Sequence, residues 1–584
     1  MVQRRSFNLI LNSISLLRKQ TILFNFHTMG SSNCKSFSPQ KAAENCGVVN
    51  PSKMTSHSEV DYIEGVVCKE SDIQENEMKT FDLGEGKILL IKQNGVLSAI
   101  GNKCTHYGAP LINGALGDGR VRCPWHGACF NTKTGDIEDF PGLDSVPCYE
   151  VTLENGDVHV RGKLSDLKTS KRTKPFASKC ASVDNTYVVI GGGPSAAICA
   201  ETIRQSGFTG TIKMICREKY LPYDRIKLSK QLDADVEKLQ FRTPAFYKDG
   251  NIDVLTNVEA TALNSKDKVV SLSNGDKINY TKCFIATGSD ARKPTIEGSN
   301  LKNIYTLREY DDTSKIRTLI KPENEVVILG SSFIGLEAAA YCVGKVAKVT
   351  VIGQTSVPLE KVFGQPIGAR LKELFEEKGV NFVMKSGIKK FIGSDGALTS
   401  VELNDGSVLK ADVCIAGIGS TFNTNFLKDS GIEIRSDGSI PVNSFMETNV
   451  PGVYAGGDIA YAPIYSNNNE PAAIGHIGLA SYHGKIAALN MVGKTTESKS
   501  VPFFWTMIFG KSVRYSGYGQ HDDLKVEGDL KELKFVCFYF KGDKVIGIAS
   551  CNRDPIVAKF AELSSQGKHL NKNDILKDPF GWSN

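Results

Sequence analysis

The chain has no C-x-x-C pair, and its 15 cysteines are scattered along 584 residues. A dithiol relay built on that motif is therefore excluded. Scattered cysteines in odd number do not make a secreted disulfide framework, so the sequence reads as that of a protein from a reducing compartment. No run of about 18 apolar residues exists, so no spanning helix is expected. Acidic residues are missing from residues 1–43, which carry Arg4, Arg5, Arg18, Lys19, Lys35 and Lys41. Those cations account for the whole formal charge of +6, and the neutral remainder gives no support to nucleic-acid binding. A mononuclear-iron facial triad motif is also missing, which weakens any reading as a complete oxygenase.

What is present centres on Cys104 to His126. The stretch reads C-T-H-Y-G-A-P-L, a spacer, then C-P-W-H-G. Cys104 pairs with His106 and Cys123 with His126, and a glycine follows each pair (Gly108, Gly127). Two thiolates can hold one iron and two neutral imidazoles a second. A zinc site of two Cys and two His is the alternative, although zinc frameworks usually put both Cys in one pair and both His in the other. The mixed pairs resemble the Rieske family, which implies a [2Fe–2S] cluster on Cys104, His106, Cys123 and His126. Imidazole ligands leave less negative charge on such a cluster than four thiolates, which raises its potential. High-potential members of that family carry an extra cysteine in each loop. Here Ala109 and Pro110 stand in the first loop, so the resemblance is to the ferredoxin-type members, and Cys129 reads as a small buried hydrophobe.

A chain this long needs three or four cores. Residues 1–59 form a leader. It is Arg-bearing, Ser-rich and acid-free, with Phe7, Ile10, Ile14 and Leu17 on one helical face, and so resembles a mitochondrial transit peptide. A start at Met29 is the alternative. It would expose Gly30 for myristoylation beside Cys34 for palmitoylation, although that pattern asks for Ser or Thr where Cys34 stands. The addresses then differ: mitochondrial, or cytoplasmic and membrane-associated through lipid. Residues 60–163 read as a small β domain, with Ile88–Gln93, the turn Asn94-Gly95 and Val96–Ile100 forming a hairpin. Residues 164–182, crowded with Lys168, Lys171, Arg172, Lys174 and Lys179, read as a solvated linker, with a basic docking patch as the alternative.

From Thr186 the chain reads α/β. The strand Tyr187–Ile190 leads into Gly191-Gly192-Gly193-Pro194-Ser195-Ala196, a G-x-G-x-x-A turn. Gly191 permits the tight bend, Gly193 lets the backbone approach a pyrophosphate, and Ala196 lets helix meet strand. The pyrophosphate would sit on the helix N-terminus. A second strand, Thr211–Cys216, ends near Glu218, placed for a ribose diol. A second copy runs from Val326 through Gly330, with Ser332 at the middle glycine, to Gly335. Its next strand ends at Gly353-Gln354, with neither the acid that selects NAD nor an Arg for a 2′-phosphate.

Two such units, one inserted in the other, resemble the two-dinucleotide flavoproteins. Leu221 to Arg225, with Leu228-Ser229-Lys230, matches that family's flavin-contacting segment. Ala286-Thr287-Gly288 and Gly417-Ile418-Gly419 match its two strand-end turns, and Tyr454 to Asp458, with Gly457, the segment whose aspartate holds the ribityl chain. The resemblance implies FAD on Gly191, Gly193, Ala196, Glu218, Arg225, Lys230, Ala286, Thr287, Gly288, Gly457 and Asp458, and NAD(P)H on Gly330, Gly335, Gly417 and Gly419. It also implies an ion pair of Lys230 with Glu337 beside the reacting rings, as the catalytic pair. His476, where the family has an E-H-W-like helix start, is as readily structural as functional. Phe503, Phe504 and Trp505 read as packing, and residues 500–584 as an alternating β-rich domain, for example Phe535–Phe540. The implied domains are 183–312 (FAD, first part), 313–440 (NAD(P)), 441–496 (FAD, second part) and 497–584 (C-terminal interface domain).

The fold class expected is thus multi-domain α/β plus β: a Rieske β-sandwich, a two-Rossmann flavoprotein and a β-rich C-terminal domain. This order resembles the Rieske-bearing apoptosis-inducing-factor-like proteins. It implies an FAD-dependent oxidoreductase that passes electrons from NAD(P)H through flavin to the cluster, with the cofactors carrying the chemistry. The acceptor expected is an unidentified one-electron species, a protein or a quinone-like molecule. No nucleic acid and no transmembrane helix are indicated, and a homodimer is left open. Two other readings remain: a pro-apoptotic redox-sensing protein, and the electron-supply component of an oxygenase.

Overall fold

Asn94 and Gly95 both take positive φ, 53° and 69°, as a type I′ hairpin demands. They join the strands Gly86–Gln93 and Val96–Gly101 in a six-stranded antiparallel sheet that also takes in Tyr62–Lys69, Glu77–Leu83, Cys148–Glu154 and Asp157–Lys163. A four-stranded meander, Ala115–Gly117, Arg120–Arg122, Cys129–Asn131 and Ile137–Asp139, packs on it. Leu89, Ile91, Ile100, Val121 and Phe130 fill the space between. The structure is a computed structural model that describes residues 61–583, and Asp61–Asn584 form one unit. The transit-peptide and lipidation readings of residues 1–59 lie outside the described residues.

Residues 164–182 differ from a solvated linker. Leu164–Thr169 is a helix that buries Leu167. Beyond it, Arg172 and Ser145 exchange backbone hydrogen bonds, and Arg172 and Lys174 both pair with Asp136. The Ala177 N–H then donates to the Arg204 carbonyl at 3.1 Å. Two of the five basic residues that suggested solvation, Arg172 and Lys174, instead fasten the strap along the β domain, while Lys168, Lys171 and Lys179 are exposed.

The first Rossmann unit is a five-stranded parallel sheet, in spatial order Ile252–Thr256, Thr211–Cys216, Thr186–Ile190, Lys282–Ile285 and Val453–Ala455. Its last strand arrives only after the second unit is complete, so the second is inserted in the first. That second sheet runs Ile304–Thr306, Val413–Ala416, Glu325–Leu329, Lys348–Gly353 and Val380–Met384, also parallel. Each unit carries one helix directly after its glycine turn, Pro194–Gln205 and Phe333–Cys342.

The C-terminal domain is a five-stranded antiparallel sheet with the helix Ile556–Ser565 on one face. Phe535 to Phe540 was expected to alternate apolar and polar; instead all six residues are buried. Phe535, Cys537 and Tyr539 face the core shared with the second Rossmann unit. Val536, Phe538 and Phe540 face the helix and the β domain. A strand covered on both sides has no polar face to show.

Candidate functional site

The two cluster loops are built alike. Cys104 N–H donates to Ala109 O at 2.9 Å and Cys123 N–H to Ala128 O at 2.7 Å. Gly108 and Gly127 N–H donate back to the Cys104 and Cys123 carbonyls, and both glycines sit at positive φ, 76° and 80°, which favours glycine. The turns bring His106 Nδ1 to 3.1 Å from His126 Nδ1 and set the buried Cys104 and Cys123 thiols facing one another in a hydrogen bond. Backbone N–H groups of His106 and Tyr107 point at the first sulfur, and those of Trp125 and His126 at the second. Burial keeps both imidazoles neutral, with pKa values lowered to about 4 for His106 and to about 2 for His126. Thiol beside thiol and imidazole beside imidazole is a two-and-two division. Among the described residues no three His, Cys, Asp or Glu side chains converge on one metal point, as a mononuclear zinc site would require. The donor set fits a two-iron group. Cys129 is free and fully buried, with its sulfur 3.6 Å from Glu562.

A cleft runs along the first Rossmann unit. Gly191, Gly193, Glu218, Arg225, Ala286, Thr287, Gly288, Gly457 and Asp458 all line it. Ala196 does not; it is fully buried where helix meets strand. A Cβ on Gly191 would stand 2.2 Å from the Ala286 carbonyl oxygen, so only glycine allows that approach. Ser195 Oγ, at the start of the helix Pro194–Gln205, is buried with no hydrogen-bond partner among the described residues, and it lines the cleft. An orphaned hydroxyl beside helical N–H groups is what a pyrophosphate oxygen would satisfy, so the residues present fit FAD. Glu218 takes a hydrogen bond from the Tyr223 hydroxyl at 2.6 Å and is paired with Arg225. Asp458 accepts from Ser289 and from Arg308 Nη2, both at 2.9 Å. Arg308 lies 150 positions from Asp458 in the chain, and no local motif marks it.

Lys230 and Glu337 meet, with Nζ–Oε2 at 2.8 Å. Glu337 is buried and also accepts from the hydroxyls of Ser229 and Thr506. Neither member lines the cleft, but Glu337 follows the cleft residue Ile334 by three positions on the same helix. In the second unit the structure brings Gly330, Gly335 and Gly417 together: a Cβ on Gly335 would stand 2.0 Å from Gly330 O, and one on Gly330 2.3 Å from Gly417 O. Gly419 sits in the same turn at φ 101°. Ser332 caps the helix at extended φ, so its side chain needs no left-handed backbone.

Of the three aromatic residues read from the sequence as packing, Trp505 and Phe503 do more. The Trp505 ring lies 4.2 Å from the His126 ring and 5.8 Å from His106, centroid to centroid. His476 stands 5.4 Å from the same ring, and His476 lines the flavin cleft. His476 also caps the helix Ile477–Met491 by accepting from Gly478 N–H at 3.2 Å, so its structural and functional readings coexist. Phe503 covers Gly127, where a Cβ would stand 2.6 Å from the Phe503 ring. Phe504 stacks on Tyr515 and is packing, as expected.

The β domain is seated by charge as well as by shape. Arg122, 1% exposed, pairs with Glu562 at 2.5 Å and Asp139 at 3.0 Å, and donates to the Gly127 carbonyl of the second cluster loop at 2.9 Å. Arg120 pairs with the other Glu562 oxygen at 2.9 Å. Burial alone would raise the Glu562 carboxyl; the two guanidinium groups bring it below its ordinary value. On the opposite side Arg242 bridges Asp144 and Glu201, both at 2.8 Å, and Arg514 Nε donates to Trp125 O at 2.9 Å.

His483, on the helix Ile477–Met491, is 1% exposed, and desolvation moves its pKa from 6.5 down to about 4. Below pH 6.5 the unfolded chain takes up a proton that the folded chain refuses until about 4. Stability therefore falls across that window. The urea midpoint should drop as pH is lowered from 6.5 towards 4, and His483→Leu should flatten that slope. An equal slope in the variant would place the acid sensitivity elsewhere.

Comparison with known proteins agrees with this geometry. A pyridine nucleotide-disulphide oxidoreductase model matches residues 185–484, and a Rieske [2Fe-2S] domain model matches residues 64–150. Apoptosis-inducing factor 3 of Homo sapiens is 42% identical over 522 residues, 88% of this chain and 86% of that protein. A benzene 1,2-dioxygenase system ferredoxin–NAD(+) reductase subunit of Pseudomonas putida is 32% identical over 57% of this chain and 80% of its own length. Among solved structures, the covalent putidaredoxin reductase–putidaredoxin complex matches with a TM-score of 0.65 at 27% identity, covering 69% of this chain and 98% of that one. The chain belongs to the pyridine nucleotide-disulphide oxidoreductase family, in the Rieske-bearing group of apoptosis-inducing factor 3, and is an FAD-dependent oxidoreductase of NAD(P)H that carries a [2Fe–2S] cluster.

Proposed function

We propose that the chain oxidises NAD(P)H and sends the electrons one at a time through its own Rieske domain to an external one-electron acceptor. The observation that carries this reading is Trp505, whose ring contacts both a cluster-ligand imidazole, His126, and a flavin-cleft residue, His476. When bound, flavin accepts two electrons as hydride and releases them singly, and the iron–sulfur group takes one. The chain's residues do the rest. Phe503 covers Gly127 of the second cluster loop, and Trp505 packs against His126 and His476. Arg122 fixes that loop through the Gly127 carbonyl. Lys230, held by Glu337, acts electrostatically on the cleft residue His476. The putidaredoxin reductase–putidaredoxin complex supports the reading, because there a reductase of this fold is joined to a second protein.

An anaerobic NADH titration followed by visible absorbance and EPR tests this. Bleaching of the flavin together with a Rieske-type signal is the expected result. Bleaching with no cluster signal, in protein shown to contain iron, would overturn it. Lys230→Ala should slow flavin reduction by NADH on the order of 10- to 100-fold while flavin content changes little. Stopped-flow reduction at the wild-type rate would remove Lys230 from the reaction. The name of the human relative attaches apoptosis to that protein. A role of this chain in cell death is a second proposal, tested by whether a variant without cluster ligands still triggers death when expressed.

A further inference from the structure

The two Rossmann units share one hydrogen-bond plan, and that plan fixes which of their residues stand in the same place. Gly191 N–H donates to Ile215 O at 2.9 Å, and Gly330 N–H to Ile352 O at 2.8 Å. One residue further, Cys216 O accepts from Val258 N–H at 3.1 Å, and Gly353 O from Ser386 N–H at 3.0 Å. Two residues beyond that, Glu218 O accepts from Asn257 N–H at 2.9 Å, and Thr355 O from Lys385 N–H at 3.1 Å. Asn257 and Lys385 also share a left-handed backbone, with φ of 58° and 56°. Thr355 is therefore the counterpart of Glu218, and Lys385 that of Asn257.

In the first unit this place borders the nucleotide cleft. Glu218 lines the cleft, as do Val258 and Glu259 directly after Asn257. An acid at the end of this strand accepts from a ribose 2′-hydroxyl, and its charge is unfavourable to a 2′-phosphate. In the second unit both charge differences run the other way. The acid has become a hydroxyl, and the neutral amide has become an exposed lysine. Residues 353–355 are Gly, Gln and Thr, so no carboxylate stands at any of the three. A Cβ on Gly353 would lie 2.5 Å from Ser331 Oγ, so an uncharged hydroxyl fills the space beside the strand end.

The turn itself does not ask for a lysine, because left-handed backbone suits asparagine better. The Thr355 hydroxyl donates to the Val357 carbonyl at 2.7 Å, so Thr355 contributes by carrying no charge. Glu360 folds back on this loop, but its carboxylate is already engaged. It accepts from Ser356 N–H and from the Ser356 hydroxyl, both at 2.8 Å, and from Val357 N–H at 3.4 Å. The exposed groups left at the loop are Gln354 and Lys385, an amide and a cation.

We propose that the second unit accepts a 2′-phosphate beside Lys385, so that NADPH serves this chain as a hydride donor alongside NADH. This rests on the NAD(P)H oxidation proposed above and not on the route through the cluster. Either nucleotide gives the flavin the same hydride, two electrons with one proton, and leaves in its oxidised form. Only the seating of the adenosine end differs.

The test follows flavin bleaching of anaerobic holoprotein by stopped-flow, with NADH and NADPH each at varied concentration. In the wild type the second-order rate with NADPH should lie within about tenfold of that with NADH. Thr355→Glu/Lys385→Asn gives the second unit the residues of the first. It should lower the NADPH-to-NADH ratio about tenfold or more, through the half-saturating concentration and not the limiting rate. Lys385→Gln, which removes only the charge, should lower the ratio by a smaller factor. As probes of the adenosine end alone, 2′,5′-ADP should inhibit the wild type more strongly than 5′-AMP, and the order should reverse in the double variant. NADPH more than tenfold poorer than NADH in the wild type, an unchanged ratio in both variants, or 5′-AMP as the stronger inhibitor of the wild type would each overturn the proposal. A silent cluster beside normal bleaching by both nucleotides would count against the electron route alone.

Discussion

Glu562→Ala should loosen the Rieske domain from its seat while leaving flavin reduction by NADH intact. Arg122 is 1% exposed and Glu562 4%, and their contact at 2.5 Å joins residues 440 positions apart. The substitution leaves a buried guanidinium short of its nearest counter-charge, and Arg120 loses its nearer carboxylate, keeping Glu138 at 3.9 Å. Removing one member of a buried pair costs about 3 to 5 kcal/mol. Asp139, still 3.0 Å from Arg122, puts the expected loss at about 3 kcal/mol, the lower end of that range. The effect should be local. Amide exchange in residues 115–131 should rise, because Arg122 also fixes the Gly127 carbonyl of the second cluster loop. Cluster reduction should lag behind flavin reduction in stopped-flow, where the wild type shows the two closely coupled. Glu562→Gln, which keeps the shape and loses the charge, should fall between. Unchanged exchange in residues 115–131 would mean that the Arg242 bridges on the other side suffice to seat the domain.

The second large effect is expected at Trp505. Its ring contacts both His126 and His476, and its loss removes both contacts. Trp505→Ala should slow the flavin-to-cluster step about 10- to 100-fold, the usual size of outer-shell effects at metal sites. The preceding hydride step should be unaffected. Trp505→Phe should recover part of the rate, since a smaller ring keeps part of those contacts. The appearance of the Rieske EPR signal after rapid mixing with NADH reads this directly. The redox potential of the cluster serves as control, because a shifted potential would slow transfer for a different reason. Wild-type timing in Trp505→Ala would show that electrons pass by another path.

These two residues mark where the sequence stopped being informative. Cys104, His106, Cys123 and His126 could be read because each pair lies within three or four residues and each loop carries its own glycine. The Asn94-Gly95 hairpin and the glycine turns at Gly191 and Gly330 were legible for the same reason: the turn chemistry is local. Trp505 was read as packing, since nothing in Phe503-Phe504-Trp505 tells a core aromatic from one that abuts a cluster ligand almost 400 residues earlier. Arg308 on Asp458 carried no local signal either. The basic strap after residue 163 misled in the other direction, because its partner Asp136 lies on a strand-end turn whose position only folding supplies.

The sequence by itself determined the parts: a cluster-binding β domain, two nested dinucleotide folds and a β-rich C-terminal domain. Each is specified by short-range patterns in which the backbone geometry and the ligand chemistry involve the same few residues. Tertiary structure alone decided how the parts meet. It set Arg122 against Glu562, laid Trp505 on His126, and covered Gly127 of one cluster loop with Phe503 while leaving Gly108 of the other uncovered. Those choices depend on desolvated charges and ring contacts between residues hundreds of positions apart, where complementarity of whole surfaces, not any local motif, sets the energy.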